Sequence, residues 1–106
     1  MRKKPLPDWL MLWIWKALIG EIYPAIRAVA VSFSGMGELA VRYYLDREPI
    51  ALDYESLAVV ITHILANSSS NCEIKSVKEE CLFSNQPLGL LDPMDGFVYM
   101  RREYQG

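Results

Sequence analysis

The stretch Ile26-Arg27-Ala28-Val29-Ala30-Val31-Ser32-Phe33-Ser34-Gly35-Met36-Gly37-Glu38-Leu39-Ala40-Val41-Arg42-Tyr43-Tyr44-Leu45 decides the fold class. In its first part Ala28, Ala30 and Ser32 alternate with Val29, Val31 and Phe33, the period-two pattern of a strand. With one set small and the other apolar, the strand over Ile26–Phe33 should be covered on both faces or lie near the centre of its sheet. Its small-residue face suits a closely packed helix. Gly35-Met36-Gly37 is a turn signal. Leu39, Val41, Tyr43 and Leu45 then alternate with Ala40, Arg42 and Tyr44, which predicts a second strand over Glu38–Leu45. Two strands joined by a short glycine turn make an antiparallel hairpin.

Upstream, Leu10, Trp13, Ile14, Ala17 and Leu18 recur at three- and four-residue spacing, which predicts a helix over Asp8–Ile19. Pro7 and Asp8 mark its start and Gly20 its end. Arg2, Lys3 and Lys4 before an apolar run imitate an export signal, and Ala28-Val29-Ala30 imitates a cleavage site. Pro5, Pro7, Asp8, three tryptophans and Lys16 interrupt that pattern, and the small-residue triplet lies inside the strand. The apolar run from Trp9 to Ile19 is far short of the about 20 residues a membrane span needs. A cytoplasmic protein with no membrane partner is expected.

Downstream, Asp46-Arg47-Glu48-Pro49 is a loop. Asp53 is placed to cap a second helix, with Glu55 favouring its dipole. Leu57, Val60, Ile61, Ile64 and Leu65 carry that helix to about Asn67, where Ser68-Ser69-Ser70-Asn71 makes a turn. A third strand falls within Cys72–Phe83, with a bulge between Ile74 and Val77 where the alternation slips. Residues 86–96 form a loop whose Leu88, Leu90, Leu91 and Met94 are expected at the surface. Phe97–Arg102 is a fourth strand. The expectation is a single α+β domain over 1–106, with 1–7 a mobile tail. Its sheet is mainly antiparallel and four-stranded with two helices packed on it, in the order helix-strand-strand-helix-strand-strand.

With 106 residues, 52% hydrophobic and 23% charged, the chain is neither disordered nor large enough for two cores. A formal charge of −2 argues against direct nucleic-acid binding, which rests on phosphate neutralisation. Setting aside Arg2, Lys3 and Lys4 leaves 8 basic against 13 acidic side chains. An acidic face suits a basic protein partner. Cys72 and Cys81 stand nine residues apart in a mostly extended segment, roughly 30 Å if fully stretched. Two reduced structural thiols are expected, and no ligand cluster for a metal or cofactor is present.

No catalytic set assembles either. His63, the only histidine, has no orienting carboxylate and nucleophile beside it. Glu79 and Glu80 should point to opposite faces of a strand, and Asp92 and Asp95 fit turn chemistry. Arg101 and Arg102 with Tyr99 and Tyr104 form a small basic-aromatic end, best explained as a solvated strand edge. The chain reads as a non-enzyme.

Leu18-Ile19-Gly20-Glu21-Ile22, Pro24, Arg27-Ala28-Val29-Ala30-Val31, Arg42-Tyr43-Tyr44, Asp46-Arg47-Glu48-Pro49 and Phe97-Val98-Tyr99-Met100-Arg101-Arg102-Glu103 together resemble a family of small bacterial immunity proteins. These are partners of toxins in contact-dependent growth inhibition and related polymorphic toxin systems. The resemblance implies binding and neutralising one cognate toxin domain, often a nuclease, in the cytoplasm. On that footing Asp46, Glu48, Asp53, Glu55 and Asp92 or Asp95 are candidate electrostatic contacts, and Tyr44 and Tyr54 candidate anchors. The alternative is a small ligand-binding or regulatory domain, which predicts a pocket between the first helix and the sheet, lined by the tryptophans.

Overall fold

The structure, a computed structural model, describes residues 6–68 and 74–102. Its elements run α1 (Asp8–Leu18), β1 (Ile26–Phe33), β2 (Glu38–Leu45), α2 (Ala51–Ser68), β3 (Ser76–Phe83), a one-turn 3-10 segment (Leu88–Leu90) and β4 (Gly96–Met100). The strands form one sheet in the order β3-β2-β1-β4.

β1 and β2 are the expected antiparallel hairpin, in register from Val31↔Val41 to Phe33↔Leu39. Gly37 takes φ +83° in the turn, a conformation that favours glycine. β1 also pairs antiparallel with β4, so it is central, and every residue from Ile26 to Val31 is buried. The expectation of a mainly antiparallel sheet needs correction: β2 and β3 run parallel, so the sheet is mixed. The physical reason is the 18-residue helix between them, which returns the chain to the starting end of the sheet. β3 and β4 are therefore opposite edges and not a second hairpin, and the 3-10 turn interrupts the expected strand-strand ending. β3 pairs without a break from Glu38↔Ser76 to Leu45↔Phe83, and at its start the N–H groups of Lys75 and Ser76 both donate to the carbonyl of Gly37, an irregularity within the stretch where a bulge was expected. A register shift also occurs in β4, between Val29 and Ala30 of its partner. There the carbonyl of Val98 accepts a 3.0 Å hydrogen bond from the indole Nε1 of Trp15.

Both helices cover one face of the sheet. Leu10, Ile14, Ala17 and Leu18 of α1 and Leu57, Val60, Ile61 and Ile64 of α2 pack with Val29, Val31, Leu39, Val41, Tyr43 and Leu45. Trp9 fills the margin, edge-on to Trp13 and Phe33 with ring centres 5.1 and 5.7 Å away. Asp8 in the first turn and Lys16 in the last suit the dipole of α1, and Gly20 at φ +81° ends it. Leu6 also packs against this core, and residues 1–5, the rest of the expected tail, lie outside the described residues.

The small-residue face does not receive a helix. Ala28 and Ala30 are covered by the segment after β3, with Leu91 buried and Leu88, Met94 and Phe97 partly so around Tyr44. Of the four apolar residues expected at the surface of that loop, only Leu90 is largely exposed. The others form a second, smaller core. Cys81 is a buried free thiol whose pKa is pushed up to about 11 by burial, while Cys72 lies outside the described residues.

Candidate functional site

The loop leaving β2 is built around one carboxylate. α2 begins at Ala51, so Asp53 is its third residue and not the cap. Its side chain reaches back to accept the N–H of Ile50 at 2.7 Å, half of a capping box. Arg47 donates to both carboxylate oxygens, at 2.7 and 3.0 Å, and the Tyr23 hydroxyl donates at 2.5 Å. Asp53 is fully buried. The Arg47 guanidinium, helped by Tyr23 and Ile50, overcomes burial and holds the carboxyl at about 2, below the usual carboxylate range. Burial and the neighbouring Asp53 carboxylate push the Tyr23 phenol upward.

Asp46 precedes this knot. Its backbone N–H donates to the carbonyl of Ala25 at 3.0 Å, and its carboxylate accepts from Arg101 at 2.8 Å. Arg101 also donates to the carbonyl of Pro24, which ties the end of β4 to the β2–α2 loop. Glu48 and Glu55 are exposed, and Tyr54 is 47% exposed on α2. Asp46, Glu48, Tyr54 and Glu55 thus stand at one end of the molecule, around the entrance to α2.

Tyr44, Asp92 and Asp95 belong to the opposite face of the sheet. Tyr44 is buried, and its hydroxyl donates to the carbonyl of Asp92 at 2.9 Å while accepting from Arg42 at 3.0 Å. Arg42 also pairs with Glu80 at 2.9 Å, which draws the Glu80 carboxyl below its ordinary value. Asp92 is exposed, and its carboxylate accepts the N–H of Met94, whose φ of +57° this short turn accommodates. Asp95 accepts the N–H of Phe33 at 2.9 Å and fastens the covering loop to the end of β1.

The candidate side chains therefore divide. Asp46, Glu48, Tyr54, Glu55 and Asp92 are exposed, although Asp46 is also bonded to Arg101 and Asp92 to the Met94 N–H, while Asp53, Tyr44 and Asp95 are held by bonds inside the molecule. Arg47 and Arg42, which organise the two groups, were not among the candidate site residues. Arg47 standing six residues before an acidic residue at a helix start was the available signal for the first.

Beside α1 and β4 lies a concavity of about 470 Å³ whose lining includes Leu6, Met11, Trp15 and Phe97. Trp15 is the one tryptophan in it. Among the described residues no group of three or more His, Cys, Asp or Glu is placed to hold a metal ion, and no helix is long and apolar enough to cross a membrane.

The model of the MafI2 immunity protein family matches residues 7–103, nearly the whole chain. The chain belongs to the MafI2 immunity protein family. This fits the resemblance to polymorphic-toxin immunity proteins carried by the motifs between Leu18 and Glu103. No curated protein matches the chain. Membership of the MafI2 family implies a toxin protein as partner, and every element described above lies within the matched residues.

Proposed function

We propose that this protein neutralises one cognate toxin domain in the cytoplasm by binding it, without catalysis, in a contact-dependent growth inhibition or related polymorphic toxin system. The family match over residues 7–103 carries this reading. Asp46, Glu48 and Glu55, with Tyr54 among them, form the electrostatic part of the contact, and Asp92 is a further acidic contact across the sheet. Asp53, Tyr44 and Asp95 serve it from within by fixing the backbone on which those groups stand. A nuclease toxin, with a basic cleft for its phosphate substrate, is the partner such a surface complements.

The test is titration calorimetry against the toxin domain encoded beside this gene, at two salt concentrations. Nanomolar affinity that weakens with salt is expected, because exposed charges are screened. Reversing both Glu48→Lys and Glu55→Lys should weaken binding at least about tenfold and flatten the salt dependence. Unchanged affinity would remove the α2 entrance from the contact. No binding between two folded proteins would defeat the inhibitor reading and leave a small ligand-binding domain in its place.

A further inference from the structure

An 18-residue helix on a protein surface ordinarily shows an apolar stripe inward and charges outward. α2 does not. Its inward stripe is Leu57, Val60, Ile61 and Ile64, with Asp53 buried at the start. Its outward side carries Leu52, Tyr54, Ala58, Val59 and Thr62, and Leu52, Tyr54 and Val59 are 58, 47 and 41% exposed. No lysine or arginine occurs anywhere in residues 51–68, and Glu55 is its one acidic residue outside the buried Asp53. Ala58, Val59, Thr62 and His63 line a shallow depression of about 320 Å³. Solubility does not require such a face, and folding does not use it.

We propose that the outer face of α2 is the apolar centre of a docking surface for the partner protein, with Glu48 and Glu55 as its acidic rim. This rests on the inhibitor reading above and names the part of the protein that reading leaves open. The rim selects the occupant. A complementary patch must be apolar in the middle and carry lysine or arginine beside the start of α2. A second copy of this chain offers no lysine or arginine on this helix, so pairing α2 with α2 gives Glu48 and Glu55 no permanently charged partner. An anionic membrane surface would repel the same carboxylates. A basic toxin domain satisfies both the apolar centre and the rim. Apolar burial at the centre would set the dissociation rate, and the rim would set the association rate and its salt dependence.

The experiment compares wild type with Val59→Arg and Leu52→Lys, two substitutions by good helix formers at exposed positions, and with Lys78→Ala on β3 as control. Binding to the toxin domain encoded beside the gene is measured by calorimetry, with circular dichroism and melting temperature recorded for each protein. The expected result is a loss of at least about thirtyfold in affinity for each α2 variant, unchanged melting, and no change for Lys78→Ala. Tight binding by wild type that both α2 variants retain would overturn the docking surface while sparing the inhibitor reading. Failure of wild type to bind would defeat the inhibitor reading itself, and this proposal with it. Sedimentation of wild type alone as a dimer that Val59→Arg dissociates would assign the face to a second copy instead. Flotation with zwitterionic vesicles, abolished by Val59→Arg, would assign it to a membrane.

Discussion

Asp53→Asn should cost about 3 kcal/mol of stability, roughly 15 °C in melting temperature, although it changes no shape. Both carboxylate oxygens receive two donors: Oδ1 the Tyr23 hydroxyl and one Arg47 nitrogen, Oδ2 the other Arg47 nitrogen and the N–H of Ile50. An amide has one acceptor oxygen. Whichever way it is turned, its NH₂ group faces donors at a fully buried position. The loss includes the cap of α2 and the counter-charge of Arg47. It also has a pH signature. A carboxyl held at about 2 when folded, against 3.8 ordinarily, contributes about 2.5 kcal/mol at neutral pH. Because the folded pKa is depressed, that contribution is fully present above about 4 and disappears as the pH falls through about 2. Urea unfolding of the two proteins at pH 7, 4 and 2.5 should therefore show their difference narrowing at the lowest pH. A constant difference would mean that the ionised form of Asp53 is not what stabilises the loop.

The second large effect is expected at Leu91→Ala, with a loss of about 2.5 kcal/mol. Leu91 is the one buried residue between Ser84 and Asp95, and it lies with Tyr44 over Ala28 and Ala30. Removing its side chain empties the centre of the small second core. Collapse of a surface segment softens the loss, which places it at the low end for a buried leucine. Limited proteolysis reads the local event: cleavage within residues 86–94 should accelerate in the variant well beyond the change in global unfolding. A loss under 1 kcal/mol with unchanged proteolysis would mean that Tyr44, Asp92 and Asp95 hold the segment without it.

The hairpin and the two helices were legible because their signals are local. Alternation in residues 26–45 and the three- and four-residue spacing of Leu57, Val60, Ile61 and Ile64 each lie within one element. The parallel pairing of β3 was not, since its strand has the same alternation whichever neighbour it joins. The length of α2 carries that information, because an 18-residue helix can return the chain along the sheet. The fate of Leu88, Leu91 and Met94 was illegible for a related reason. Apolar residues in a loop look like an exposed patch until the bare alanine face beneath them is known. At the candidate site, charge was visible but not its use. Asp53 and Glu55 are indistinguishable as letters, and only the geometry shows one buried under Arg47 and the other at the surface.

The central position of β1 has a consequence for synthesis. Its partner in β2 follows within a few residues, but Tyr99, which faces Val29 from β4, comes about 70 residues later. At about 5–20 residues per second, one edge of the most apolar strand waits roughly 4 to 14 s on the ribosome before its cover is made. During that interval the half-built sheet offers open backbone to neighbouring chains. The Arg101–Asp46 clamp joins the last part of the sheet to the loop that opens α2, so the surface at that loop matures only after translation has passed β4.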